Sequence, residues 1–247
     1  MHDSKPFLTH RTDFEQILQN YTISDHAKSI LARTPYVVLS GVAGGGRNTV
    51  INYLVEHDNY IFVVSDTTRP PKMRDGKMEE DGVQYNFRSE EAMLDELRRG
   101  EFIEAEIIHN QQVSGTSIRE IERIIDHGKI PINEMEFGGI NAIAAAKPDA
   151  TIIGLLPPSY EEWMRRLSSR EQMSQDELHN RLVTAKKVFE NMLQQSYFQF
   201  VVNTTVEEGA AAIAYIVEHG SHPRSDDARR LAGELLHKVD TVLAANN

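Results

Sequence analysis

The 247-residue sequence contains no cysteine, which excludes disulfide bridges and thiolate metal sites and fits a reducing compartment. It has no apolar run near the roughly 18 residues that a membrane-spanning helix needs, and its charged N-terminal stretch lacks an apolar signal-peptide core. A cytoplasmic location is expected from these absences. Positive charge is scarce: 26 Lys and Arg stand against 37 Asp and Glu, a net charge of −11. With a pI of about 5.4 the chain has no basic face to grip a DNA or RNA polymer, so any phosphate must be held by local devices. The ten histidines are scattered, and none falls in an H-E-x-x-H or similar ligand spacing. There is no internal repeat and no low-complexity tract. The 40% hydrophobic and 26% charged fractions are those of an ordinary globular protein.

Residues 1–34 are polar and read as one or two short helices, with Thr12 and Glu15 in a capping-box pattern and Phe14, Ile17 and Leu18 as an apolar stripe. From Tyr36 onwards short apolar runs alternate with helical patterns, the texture of a parallel α/β sheet. The expected strands are residues 36–40, 60–64, 129–133, 151–155 and 198–203. Capping boxes at Ser159/Glu162 and Ser174/Glu177 mark helix starts, and Ser89 opens a helix reaching about Arg99. Residues 65–116 interrupt the alternation with turns, charges and an apolar run from Phe102 to Ile108. They read as an insertion over the carboxyl ends of the strands, where open α/β sheets bind ligands. After Gly220 the segment SHPRSDD reads as a linker, followed by a terminal amphipathic helix over residues 228–245.

The first strand runs into Gly41-Val42-Ala43-Gly44-Gly45-Gly46-Arg47-Asn48-Thr49, and a helical pattern follows. Strand, glycine loop and helix together turn backbone N–H groups and a helix N-terminus towards a phosphate. The spacing from Gly41 to Gly46 fits a Walker A loop, but Arg47-Asn48 stands in place of Lys followed by Ser or Thr. Arginine keeps the charge with a bulkier, more diffuse head. Magnesium normally meets a hydroxyl here; either the Asn48 amide oxygen or the Thr49 hydroxyl could serve. A flexible surface loop after a buried strand is the simpler alternative reading.

Further segments follow in order: Ser65-Asp66-Thr67-Thr68-Arg69-Pro70-Pro71-Lys72, Gly82 to Phe87, Gly100 to Glu104, and Ser114-Gly115-Thr116-Ser117. Then come Glu134 to Gly139, Leu156-Pro157-Pro158-Ser159, Arg165-Arg166-Leu167 with Arg170, Arg181-Leu182 and Val201-Val202-Asn203. In this order after a glycine loop they closely resemble the guanylate kinase family over roughly residues 35–218.

The resemblance implies an α/β fold: a P-loop nucleoside monophosphate kinase-like parallel sheet flanked by helices, with the monophosphate-binding insertion at about 65–116 and a short lid at about 166–176. Residues 1–34 and 219–247 are extensions. It implies ATP and GMP as ligands, magnesium with the ATP, and transfer of a phosphoryl group to give ADP and GDP. Ser65, Arg69, Lys72 and Tyr85 would hold the GMP phosphate, and Glu104, Thr116 and Glu136 would read the guanine. Gly41, Gly44, Gly45, Gly46, Arg47, Asn48 and Thr49 would hold the ATP phosphates, with Arg47, Arg166, Arg170 and Arg181 neutralising the transferred group. A carboxylate at Glu104 can accept both N1–H and the exocyclic amine of guanine, a donor pair that adenine lacks. The alternative is a catalytically weak or inactive module that uses the cleft to bind a nucleotide or a partner.

The chain departs from the family pattern at Arg47 (Lys), Asn48 (Ser or Thr), Lys72 (Arg), Asp75 (Glu), Glu134 and Glu136 (Asp) and Ser114 (Tyr), with extra residues between Asp75 and Tyr85. Arg47, Lys72, Asp75, Glu134 and Glu136 keep the sign of the charge, so the expectation is an altered but still ionic site. Asn48 and Ser114 are the losses.

Overall fold

The structure is a computed structural model, which describes residues 8–74, 76–169 and 173–245. In chain order its elements are α1 (Arg11–Gln19), α2 (Asp25–Ala32), β1 (Val37–Ser40), α3 (Arg47–His57), β2 (Tyr60–Phe62), β3 (Asp66–Thr67), β4 (Met73–Arg74) and β5 (Lys77–Met78). They continue with β6 (Asn86–Phe87), α4 (Glu90–Arg98), β7 (Phe102–Ile108), β8 (Gln112–Ser117), α5 (Ile118–Asp126), β9 (Ile130–Glu134) and α6 (Phe137–Ala146). The last are β10 (Thr151–Leu156), α7 (Tyr160–Ser168), α8 (Gln175–Gln194), β11 (Phe198–Val202), α9 (Val206–His219) and α10 (Ser225–Ala245). The chain divides into two compact units, one of Met1–Thr34, Ile61–Pro131 and Asn141–Pro148, the other of Pro35–Tyr60, Ile132–Ile140 and Asp149–Asn247.

The five strands expected from apolar runs are those of a five-stranded sheet in the order β11-β10-β1-β9-β2. β1 pairs in parallel with β10 and β9, and β10 with β11. β1 is buried throughout and β10 nearly so, as strands covered on both faces must be. In the second unit α3 packs against α9, and α10 packs against α8 and β11. A parallel central sheet flanked by helices is the expected fold class. Ser159, Ser174 and Thr205 each accept a backbone N–H three residues on, capping α7, α8 and α9. Glu162 and Glu177 do not return the bond to close a capping box. Both are drawn instead to arginines four residues further along, Arg166 and Arg181. The terminal helix starts at Ser225, so the last three residues of the expected linker form its first turn, where Asp226 and Asp227 meet the positive end of the dipole.

The first unit is built on a four-stranded sheet, β6-β3-β8-β7, in which β3 runs antiparallel to β8 and β8 to β7. Its core joins Leu8 and Phe14 to Met93, Leu94, Leu97, Phe102 and Val113, with Ile17, Leu18 and Tyr21 packed against them. The apolar stripe read in the N-terminal extension therefore covers α4 and β7. The expected capping box at Thr12 does not form: α1 begins at Arg11, putting Thr12 inside its first turn. The N–H groups of Thr9 and His10 donate to the Glu90 carboxylate, 3.1 and 2.8 Å away, and that distant residue replaces a local cap. Among the described residues no helix is long and apolar enough to cross a membrane.

Candidate functional site

In the second unit the glycine loop leaves β1 and enters α3 through Gly46, whose φ of +95° is left-handed. A Cβ there would lie 2.2 Å from Asn203 Nδ2, so both conformation and space demand glycine. Asn203 donates to the Gly45 carbonyl at 2.8 Å, and the single tryptophan, Trp163, donates Nε1–H to the Ala43 carbonyl at 2.8 Å. Two buried side chains from distant elements thus hold the loop in shape. The first turn of α3 carries no acid, so its positive dipole end is left for an anion.

Two cavities flank this loop within the unit. One, of about 490 Å³, is lined by Ser40 to Ala43, Arg47, Glu136 and Arg181 among others. The other, of about 390 Å³, is lined by Gly44, Gly46, Thr49, Arg166, Asn203 and Thr204 among others. Thr49 lines this second cavity; Asn48 lines neither, although both are exposed. Arg47 reaches back to Glu134 at the end of β9, with Nε 3.7 Å from Oε2. That oxygen is buried and has no hydrogen-bond partner among the described residues. Arg181 pairs with Glu177 at 2.6 Å. Arg166, in the last turn of α7, donates to Glu162 at 2.8 Å and to the carbonyls of Asn203 and Thr204. Arg165 is exposed and paired with the same Glu162 at 2.6 Å, where the two arginines hold the carboxyl down to about 2. Arg170 lies outside the described residues.

The expected acceptor residues gather in the first unit, except Glu136, which belongs to the second. Arg69 is buried, its fork set on Glu79 at 2.5 and 3.0 Å and its guanidinium 4.6 Å from the Tyr85 ring centroid. Glu79 also accepts the Lys72 N–H at 3.0 Å and pairs with Arg74 at 2.8 Å. Lys72 itself is exposed, with its head group unconstrained by any of these bonds. Ser65 is half-buried where its carbonyl accepts from Asn86 N–H, and Ser114 donates its hydroxyl to Thr67 at 2.9 Å. On the neighbouring strands Thr116 Oγ1 donates to Glu104 Oε1 at 2.8 Å. Burial pushes the Glu104 carboxyl up from its ordinary value, while Thr116 pulls it part of the way back.

A family model described as guanylate kinase matches residues 33–220. The chain belongs to the guanylate kinase family. It is 34% identical over 197 residues to a guanylate kinase of Leifsonia xyli subsp. xyli, covering 79% of this chain and 75% of that protein. It is 36% identical over 183 residues to a guanylate kinase of Corynebacterium diphtheriae, covering 73% of this chain and 93% of the relative. The crystal structure of guanylate kinase from Anaplasma phagocytophilum is similar with a TM-score of 0.51 and 25% identity, covering 76% of this chain and 86% of that one.

Sequence reasoning did not single out Glu79. The guanylate kinase pattern expects one glutamate near Asp75, which lies outside the described residues, and the extra residues before Tyr85 allow that glutamate to be counted from either side. Counting back from Tyr85 leads to Glu79, the carboxylate that organises Arg69. Trp163 and Glu90 were also missed, because each acts on a segment far away in the chain.

Proposed function

We propose that the chain transfers the γ-phosphoryl group of ATP to GMP, giving ADP and GDP. Belonging to the family, it is a nucleoside monophosphate kinase of the guanylate kinase type; a module without activity is not favoured, because the relatives it matches are named as kinases. An oxygen of the GMP phosphate forms a bond to the γ-phosphorus as the bond from that phosphorus to the β–γ bridging oxygen breaks, and ADP leaves. Such a reaction needs no covalent nucleophile, so the protein contributes position and positive charge.

The observation that carries the acceptor assignment is the Glu104–Thr116 pair at 2.8 Å on β7 and β8, in the sheet whose strands β3 and β6 are flanked by Arg69 and Tyr85. Thr116 occupies one oxygen and aligns the carboxylate, whose remaining lone pairs can take the N1–H and amine of guanine. Ser65, Arg69, Lys72 and Tyr85 would take the GMP phosphate, with Glu136 as a further reader of the base. The loop Gly41 to Thr49 would hold the donor phosphates, and Arg47, Arg166, Arg170 and Arg181 would neutralise the moving group. Magnesium suits oxygen ligands, and the Glu134 oxygen beside the loop, which makes no hydrogen bond among the described residues and only the 3.7 Å contact with Arg47, fits it together with Asn48 or Thr49. Bound with ATP, the ion would neutralise donor phosphate charge. The functional division we propose is residues 35–218 as the kinase proper, with the monophosphate insertion at about 65–116 and a lid at about 166–176. We place it in the cytoplasm with no nucleic acid polymer or membrane as partner.

A coupled assay of ADP release with GMP, AMP, UMP and dTMP as acceptors tests the reading. GMP alone should support turnover; equal rates with AMP would overturn the base assignment.

A further inference from the structure

The guanine-reading pair depends on an irregularity in the sheet. Phe102 stands opposite Ser117, yet Glu104 stands opposite Thr116: two steps along β7 match one step along β8. Ile103 is the extra residue of a β-bulge. In a regular antiparallel ladder Glu104 would face Gly115, which has no side chain to align a carboxylate. A one-residue slip would also turn the residue to the opposite face of the sheet. The bulge therefore decides whether Glu104 meets Thr116 at all.

The N-terminal extension grips the chain at the entry to that bulge. β7 is an edge strand, and the Phe102 N–H and C=O on its open side are both taken by the Tyr21 hydroxyl. Tyr21 Oη accepts from the N–H at 2.8 Å and donates to the carbonyl at 2.8 Å. Burial pushes the Tyr21 hydroxyl up to about 12, so it keeps the proton this double role needs. Adjacent residues are held as well. Ser24 N–H donates to the Gly100 carbonyl at 2.9 Å, Ser24 Oγ bonds Glu101 at 3.0 Å, and His26 bonds the same carboxylate at 3.1 Å. Segment 22–24 crosses so closely that a Cβ on Gly100, at φ +73°, would lie 2.6 Å from the Ser24 nitrogen. Glu101 in turn accepts the Ile118 N–H at its carbonyl, which pins the far side of the same strand end.

We propose that Tyr21, with Ser24 beside it, is a positioning residue for guanine recognition, holding the β7 bulge that aims Glu104. The extension lies before residue 33, where the family match begins, so this contact comes from outside the segment matched to the family. The inference rests on the reading of Glu104 as the guanine acceptor.

The test compares Tyr21→Phe with wild type, using GMP and IMP as acceptors. IMP keeps N1–H but lacks the amine, so the ratio of the two reports the aim of the carboxylate. Tyr21→Phe should raise KM for GMP about tenfold, as expected for two lost hydrogen bonds, and shrink the GMP-to-IMP preference. KM for ATP should not move. The Phe102 amide should exchange faster with solvent while the amides of Ile132 and Ile153 stay protected. An unchanged GMP-to-IMP ratio in a folded variant would overturn the proposal, as would a parallel rise in KM for ATP. If Tyr21→Phe does not fold, Ser24→Ala decides by the same ratio, with a smaller shift in favour and none against. Glu104→Gln separates the two levels: if it leaves GMP preference intact, the guanine reading itself has failed, whereas an effect there with none at Tyr21 defeats only this inference.

Discussion

The two units hold their arginines in different ways. In the first, Arg69 is 7% exposed, forked on Glu79 and stacked on Tyr85, so its position is settled before any phosphate arrives. In the second, the Arg47 side chain is 22% exposed and meets Glu134 through one contact of 3.7 Å, too long for a hydrogen bond. A buried fork with two short bonds is preorganised; a single long contact at a loop can be exchanged for another anion. The side we propose for the acceptor is thus built as a fixed socket, and the proposed donor side keeps its cation adjustable. The departures from the family do not follow that division: each unit has one loss, Asn48 in the donor loop and Ser114 beside β3, while Glu79 keeps the carboxylate that holds Arg69.

The largest effect should come from the adjustable side. Arg47→Ala should cost about 3 kcal/mol of transition-state stabilisation, seen in kcat more than in KM for GMP, because the loop faces the donor. A loss confined to GMP affinity would erase the contrast between the units. Restoring the family loop with Arg47→Lys and Asn48→Ser should raise kcat; a slower enzyme would show that the pocket has been shaped around the guanidinium.

Next comes the socket itself. Arg69→Ala should weaken GMP binding by about thirtyfold and Lys72→Ala by about fivefold, since a held fork makes charge-assisted bonds that a mobile ammonium makes less well. Calorimetry giving the reverse ranking would break the claim that preorganisation matters here.

A smaller effect distinguishes two carboxylates of the socket by pH. Arg69 holds Glu79 down at about 2, so the pair we propose as the phosphate clamp stays charged through mild acid. Burial moves Glu104 the other way, so it takes up a proton at a higher pH than an ordinary glutamate. Only the ionised form accepts both guanine donors, so on acidification the GMP-to-IMP affinity ratio should fall before ordinary glutamates titrate. Both ligands carry the same phosphate, which cancels from the ratio. Glu104→Gln should flatten the profile, and a ratio constant down to the ordinary carboxylate range in wild type would refute the assignment.

The smallest effect is on stability. GMP should raise the melting temperature by mass action and AMP should not. Equal shifts with both would show that the socket reads phosphate and not base.

What the sequence determined by itself was local. Apolar runs marked the five strands of the parallel sheet, because a strand buried on both faces has little room for polar residues. Ser89, Ser159 and Ser174 marked helix starts, because a cap is made with an N–H only three residues away. The order of short segments from Gly41 to Asn203 identified the family and supplied the acceptor residues we propose, since each segment carries its chemistry in its own side chains. Tertiary structure alone decided what crosses long stretches of chain. Glu90 replaced Thr12 at the start of α1 from 80 residues away, and Tyr21 reached Phe102 across 81. Glu79, not a residue beside Lys72, became the partner of Arg69. The bulge at Ile103 depends on pairing between two strands, and no periodicity within β7 encodes it. Capping and burial patterns are written in neighbours, whereas the partner of a buried charge or an edge-strand amide is chosen by whichever distant group the fold brings within hydrogen-bond reach.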